Sequence, residues 1–485
     1  MNTKKIGIGA LLGLSSTMGV IAQQHPNVIV IMTDEHVFRT LGCYRETLPD
    51  SLAYPWGPGI AVKTPNLDKI AKQGAIYTRY YASSPVSSPS RASFFTGRYP
   101  NEVGVPLNGC GLRHDAVTFG KVLKDHGYST SYVGKWHLAD DIPMPGWNPT
   151  PTFGFDYTQY MFNSYHQKWY QLSPDGDQKK IIRHNTYNPK PGEKWIPATQ
   201  FLTDRALDVL ERDKDKPFCL VLNIPDPHSP DIAVPPYDKM FTHFKFQHPV
   251  TMDQKVEDRP KWALGELDNE MTDFNAKKLA NYFGMVADVD NQVGRVLAFL
   301  KKNKLEKNTI ILFTADHGEL NYEHHRINKG LPFESSARIP YVIRYPKVIR
   351  PGKVIATPSV NVNFAPTLLG LMGFHNELHE AQGIDESDEL RSKALNVKSK
   401  RTIYETSTFS WTMATDGRYK LVVSTIDKPW LFDMQKDPYE VKNFYNDPAY
   451  HETSKKMMQE MIHLMKKYKE PRLNWYNKLQ LDDPE

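Results

Sequence analysis

The stretch Ser87-Ser88-Pro89-Ser90-Arg91, running on to Thr96-Gly97-Arg98, holds the strongest signs of chemistry in the chain. Pro89 near a first turn and Gly97 after a last one predict a short helix that starts at Ser87 to Ser90. A helix start gathers free N–H groups and positive potential, so it favours an anion there. Arg91 adds a fixed cation. Asp34 and Glu35 close one apolar run, and Asp316 and His317 close another. Carboxylates converging from two strand tips make an oxygen-rich pocket suited to a hard divalent cation such as calcium. Lys135 and His137, in Gly134-Lys135-Trp136-His137, and His228, in Pro227-His228-Ser229-Pro230, each follow a strand, and Lys329-Gly330 lies downstream. Taken singly, each of these reads more readily as a turn cap or a satisfied surface group than as a catalyst or ligand. Together the lysines, the arginine and the histidines carry the charge to hold a tetrahedral oxyanion such as sulfate or phosphate.

The elements that must position these groups are visible in the hydrophobic pattern. The run Asn-Val-Ile-Val-Ile-Met at residues 27 to 32 is apolar on both faces and reads as a buried parallel strand. Its carboxyl end, Thr33-Asp34-Glu35, is where open α/β sheets place ligands. Residues 128 to 134, 218 to 224 and 309 to 314 read as further strands, and residues 65 to 74 as a short helix stopped by Gly74. Leu279, Phe283, Val286, Val289, Val293, Val296, Leu297 and Leu300 give one apolar stripe, so a long helix packs on the sheet. This alternation predicts an α/β fold, a large, mostly parallel or mixed sheet sandwiched by helices. Residues 140 to 216 are rich in Trp, Tyr, Pro and Gly with weak periodicity, and predict long loops over a site mouth. Trp147, Phe155, Tyr157, Tyr160, Trp169 and Tyr170 in that region either stack on sugar rings or form core beneath the loops. Past residue 400, residues 419 to 423 and 430 to 432 read as short antiparallel strands. Residues 454 to 468 read as an amphipathic terminal helix carrying Met457, Met461, Leu464 and Met465. The expected division is a leader at 1–22, a catalytic domain at 23–400 and a smaller α+β subdomain at 401–485.

Composition narrows the function classes. With 485 residues, 40% of them hydrophobic, the chain can bury a large core plus an appended subdomain. Charged residues make up 24% without a block of one sign, which argues against disorder. The net charge of +5 is scattered rather than gathered on one arm or helix, so nucleic acid is not the expected partner. Lys4 and Lys5 precede an apolar run from Ile6 to Ala22 that ends in Val20-Ile21-Ala22, the pattern of a cleaved signal peptide. Ser15, Ser16 and Thr17 interrupt it, so it reads as an export signal rather than a stable membrane anchor, which needs about 20 apolar residues. A periplasmic or secreted protein is the expectation. Cys43, Cys110 and Cys219 are odd in number and match no zinc spacing.

In this order the motifs resemble those of the formylglycine-dependent sulfatases of the alkaline phosphatase superfamily, in their bacterial serine form. The family pattern of Cys or Ser, x, Pro, x, Arg and then Thr-Gly-Arg stands here at residues 87 to 98. Thr64-Pro65-Asn66-Leu67-Asp68, Asp316-His317-Gly318-Glu319 and Leu431-Phe432-Asp433 through Asp437-Pro438 and Glu440 also fall in family order, so the resemblance spans the mature chain. The resemblance implies that Ser87 becomes formylglycine (3-oxoalanine), whose hydrate is the nucleophile, and that Ser87, Asp34, Asp316 and His317 surround a calcium ion. It implies that Arg91 and Lys135 steady the hydrate and the sulfate, and that Lys329 binds sulfate oxygens. It further implies that His137 takes a proton from the second hydroxyl and that His228 is the acid for the leaving alcohol. Glu35 stands where relatives often have Asp or Gln and is carried as a doubtful further metal ligand, and His317 replaces a frequent Asn. A serine precursor implies a radical-type, anaerobic maturase as a partner. Export and the aromatic region fit a sulfated carbohydrate, whether a host glycosaminoglycan, a mucin O-glycan or an algal polysaccharide, with glycosaminoglycan-derived sugars as the expected class and Asn108, Arg113 and His114 as candidate sugar contacts. A phosphonate or phosphate-ester hydrolase of the same superfamily and a catalytically silent glycan-binding protein are the competing readings.

Overall fold

A continuous β-branched strand needs apolar cover on both faces, and Asn27–Thr33 is buried along its whole length. In the computed structural model, which describes residues 25–140, 146–175, 181–264, 273–407 and 410–474, this strand is β1 at the centre of a nine-stranded sheet. The expected leader at 1–22 lies outside the described residues. The other strands in chain order are β2 (Ala75–Tyr77), β3 (Ser129–Lys135), β4 (Tyr157–Phe162), β5 (Phe218–Ile224), β6 (Thr309–Ala315), β7 (Tyr341–Arg344), β8 (Lys353–Ile355) and β9 (Asn396–Val397). Across the sheet they run β9-β8-β2-β7-β6-β1-β5-β3-β4. The five strands from β6 to β4 are mutually parallel, and β7 is antiparallel to both β6 and β2. The sheet is mixed and mostly parallel.

Register sets the site. Thr33 lies opposite Ala315 on one side and Ile224 on the other, so Asp34 and Asp316 leave adjacent strands at one level. Alternate side chains of β1 serve opposite layers: Val28, Val30 and Met32 join one core cluster, Ile29 and Ile31 the other. The first layer is closed by α2 (Ser87–Thr96) and α5 (Phe364–Met372), where Phe94 stacks on Phe364 with ring centroids 3.9 Å apart. The second is closed by α1 (Pro65–Lys72), α3 (Ala198–Asp213) and α4 (Ala276–Lys302), through residues such as Leu67, Leu202, Val293 and Leu297.

Two regions differ from the sequence reading. Residues 140 to 216 hold β4, a three-stranded sheet (Trp169–Gln171, Ile182–His184, Trp195–Pro197) and α3 as well as loops. The helix escapes the reading because its buried Phe201, Leu202, Ala206, Val209 and Leu210 alternate with charges inside a Pro- and Trp-rich stretch. Phe155 and Tyr170 are core, and the Arg183 guanidinium lies 4.3 to 5.2 Å from the ring centres of Trp147, Phe162, Tyr165 and Tyr170. Several of the aromatics offered as sugar platforms are thus committed to packing.

The second region is C-terminal. β10 (Ile403–Thr406), β11 (Trp411–Thr415), β12 (Tyr419–Ser424) and β13 (Trp430–Asp433) form an antiparallel sheet in sequence order, and the first two strands were not expected. One face takes Met457, Met461 and Met465 of α6 (His451–Lys467). The other backs the segment after Lys329. Trp411 Nε1 donates to the Gly330 carbonyl at 3.0 Å, and Lys420 Nζ donates to the Pro332 carbonyl at 3.0 Å. Among the described residues no helix is long and apolar enough to cross a membrane, and all three cysteines are free.

Candidate active site

Ser87 opens α2, a helix buried at every residue. Its Oγ lies 3.0 Å from His317 Nε2. One turn on, the Arg91 guanidinium spans both acidic strand ends, with Nε donating to Asp316 Oδ2 at 2.9 Å and Nη2 to Asp34 Oδ2 at 3.2 Å. Its Nη1 donates to the Lys135 carbonyl at 3.0 Å, so one side chain ties α2 to the ends of β1, β6 and β3. Asn361 Nδ2 donates to the Ser90 carbonyl and Oγ at 3.1 and 2.8 Å, and Ser90 Oγ donates to the Asp316 carbonyl. The start of the helix is thereby fixed against the sheet.

These groups fit a metal ion. Asp34 Oδ1 is buried without a hydrogen-bond partner, a costly state for a carboxylate oxygen unless a cation faces it. His317 Nδ1–H donates to the Gly318 carbonyl at 2.9 Å, which leaves the Nε2 lone pair free to ligate. Ligand atoms of Asp34, Asp316 and His317 all lie within 4.8 Å of one another. Two carboxylates, an imidazole and the Ser87 oxygen form a donor set suited to a hard or borderline divalent ion. Glu35 does not join it. Its backbone is left-handed (φ 58°), and its carboxylate takes the Lys329 ammonium and sits 3.1 Å from His228 Nε2.

The cationic side is equally ordered. Lys135 is fully buried; its Nζ donates to Asp34 Oδ2 and, at 2.7 Å, to His166 Nε2. Lys329 Nζ donates to Glu35 and to His228 Nε2 at 3.0 Å. The His166 and His228 rings stack face to face, 3.6 Å apart and 4° from parallel. Burial alone would raise the Asp34 carboxyl, but Lys135, then His228, His166 and Arg91, holds it well below its ordinary range. Burial lowers Lys135 to about 8 despite Asp34 beside it. Burial, with Lys329 and His166, also keeps His228 well below the usual imidazole range.

Most residues singled out in the sequence converge here: Ser87, Arg91, Lys135, Asp34, Asp316, His317, His228 and Lys329 form one connected network. His137 borders it, with its carbonyl accepting from Ser88 Oγ at 2.7 Å and its buried Nδ1 without a partner. Asn108 Oδ1 accepts from the Ser88 N–H at 2.9 Å, a helix cap more than a sugar contact. Arg113 and His114 are exposed and pair with Asp115 and Asp140, at 2.7 and 3.7 Å. His166 was missed. It sits in the aromatic loop after β4, where no motif marks it.

Residues 26–374 match the family Sulfatase. The chain belongs to the sulfatase family. Residues 322–467 further match N-sulphoglucosamine sulphohydrolase, C-terminal, which spans β10 to β13 and α6. An N-acetylglucosamine-6-O-sulfatase of Bacteroides thetaiotaomicron is 27% identical over 92% of this chain and 87% of its own. An endo-4-O-sulfatase of the same organism is 28% identical over 95% of both chains. A solved structure in complex with its substrate D-glucosamine-2-N,6-O-disulfate shares 26% identity and superposes with a TM-score of 0.73, covering 92% of this chain and 98% of that one. This sulfatase is a sulfuric ester hydrolase.

Proposed function

We propose that this sulfatase removes O-sulfate groups from carbohydrates, with a sulfated hexosamine as its substrate class, using a formylglycine made from Ser87 and a calcium ion at Asp34, Asp316 and His317. The observation that carries this reading is the placement of Ser87. It begins a buried helix, faces His317 Nε2 at 3.0 Å, and is tied through Arg91 to both carboxylates. The named activities of the N-acetylglucosamine-6-O-sulfatase and the glucosamine disulfate complex support the hexosamine class. The leader-like N-terminus supports a periplasmic or secreted enzyme, and a serine rather than a cysteine at position 87 supports maturation by a radical-type serine oxidase.

A divalent ion held at the carboxylates would polarise the sulfate oxygens as a Lewis acid. Oxidised and hydrated, Ser87 would offer one hydroxyl for attack on sulfur and a second whose proton loss expels sulfate. The chain's own groups do the rest. Lys135 and Lys329 each spend two N–H donors on protein acceptors, leaving one N–H apiece for a sulfate oxygen. His228 Nδ1–H donates to the Ser229 carbonyl at 2.7 Å, so only Nε2 can carry a proton to the leaving alcohol oxygen. Glu35, 3.1 Å from that nitrogen, favours its protonated form, as does the negative charge of an arriving sulfate ester. His137 Nδ1, buried and unpaired, is available to take the proton of the second hydroxyl.

The test is turnover by matured enzyme of a panel of 2-, 3-, 4- and 6-O-sulfated hexosamines beside phosphonate monoesters. Preference for one sulfated sugar is expected. Turnover of phosphonates alone would overturn the reading.

A further inference from the structure

His166, Asp34 and His228 present ligand atoms within 4.8 Å of one another, which at first sight is a second metal site. The ring geometry argues otherwise. Stacked imidazoles 4° from parallel direct their lone pairs side by side rather than toward a common point. Each Nε2 also already accepts from an ammonium, Lys135 for His166 and Lys329 for His228.

We infer that His166 is a positioning residue that aims the Lys135 ammonium at the sulfate and holds the plane of the His228 ring. This rests on the sulfatase reading. An ammonium has three N–H donors at tetrahedral angles. Asp34 Oδ2 takes one and His166 Nε2 takes another, so the direction of the third is fixed. Without His166 the ammonium could rotate about its bond to Asp34, and that third donor would no longer be set before the substrate arrives. Such presetting is what makes an oxyanion donor effective in a dry site. The His166 side chain is 21% exposed and His228 14%, so each ring shields one face of the other from water. His166 therefore couples the cation that meets the sulfate to the acid that meets the leaving group.

Two substitutions separate its functions in the matured enzyme. His166→Phe keeps a ring over His228 but removes the acceptor, whereas His166→Gln keeps an acceptor near the Nε2 position and removes the ring. Inorganic sulfate binding, measured by calorimetry, and turnover of a sulfated hexosamine are read together, with thermal melting as the folding control. His166→Phe should weaken sulfate binding and lower kcat/KM by about 10- to 100-fold, the range seen when a supporting partner is lost. His166→Gln should recover sulfate binding to within a few-fold of wild type. Wild-type sulfate affinity in the Phe variant, or equal loss in a folded Gln variant, would overturn the assignment. If the Phe variant does not fold, the Gln variant alone decides. Failure of the wild type to cleave sulfated hexosamines would sink the proposed substrate class instead, while sulfate binding by the variants still judges His166.

Discussion

Ser87 Oγ and His317 Nε2 face each other at 3.0 Å across the junction of α2 and β6, and the same Nε2 lies 3.6 Å from Asp316 Oδ1 and 3.9 Å from Asp34 Oδ1. A hydroxyl and an imidazole lone pair held together at a helix start are poised to share one ion. Ser87→Ala should abolish turnover while changing stability by no more than about 1 kcal/mol, since only one hydrogen bond is lost. Mass spectrometry of the Ser87 peptide from native material should show the loss of a hydrogen molecule that marks the aldehyde. Residual activity of a few percent in the Ala variant, or an unmodified peptide in active enzyme, would sink the nucleophile assignment.

The unpaired Asp34 Oδ1 and the lone pair of His317 lead to a metal prediction. Treatment with a chelator should inactivate the enzyme, and calcium should restore it. His317→Ala removes one ligand from a set of few, so the calcium concentration for half activity should rise at least about 10-fold. An enzyme indifferent to exhaustive chelation would remove the ion from the mechanism.

Lys329 is one partner in a partly buried trio with Glu35 and His228, so removing it does two things at once. The proposed sulfate donor disappears, and Glu35 is left as a poorly compensated buried charge. Lys329→Met should lower kcat/KM by about 100-fold or more. Glu35→Gln in the same chain separates the two effects. If the double variant melts like wild type yet still binds inorganic sulfate poorly, Lys329 acts on sulfate; if sulfate binding returns, it served only to neutralise Glu35.

Gly134 is fixed by close approach. Its φ is 110°, and a Cβ there would stand 1.8 Å from the Asn223 carbonyl oxygen on the neighbouring strand. Gly134→Ala should therefore cost at least about 3 kcal/mol, or prevent soluble expression, because both strand backbones would have to part just before Lys135. A melting temperature equal to wild type would show that the β3–β5 register is softer than its geometry implies.

What could be read from the sequence follows from which signals are local. β1, β5, β6 and α4 declare themselves because full burial demands uninterrupted or evenly striped apolar residues. Strand-end positions then placed Asp34, Lys135, His228 and Asp316 together without any long-range information. β10 and β11 carry Glu405, Thr406, Thr412 and Thr415 among their apolar residues, and their burial is imposed by a sheet partner and α6 that no local window contains. The role of Glu35 depended on a left-handed backbone turn, and that of His166 on a loop path set by packing, so neither could be inferred from residue type.

Glu405, on the interface between that C-terminal sheet and the segment after Lys329, leads to a prediction about pH. Its side chain is fully buried, and both carboxylate oxygens lack hydrogen-bond partners. Burial pushes its pKa well above the ordinary range; Lys420 opposes this, and Glu334 and Glu440 reinforce it. The folded protein therefore keeps a proton on Glu405 over a pH range in which the unfolded chain has released it. Stability from this group is complete below about pH 4.5 and declines as pH rises toward the folded pKa, by about 1.4 kcal/mol per pH unit. Glu405→Gln fills the same space and cannot ionise. Near pH 7 the Gln variant should melt at a higher temperature than wild type, and the gap should close toward about pH 4, where both side chains are neutral. Parallel melting curves across that range would show that Glu405 ionises without penalty, with Lys420 as its effective counter-charge.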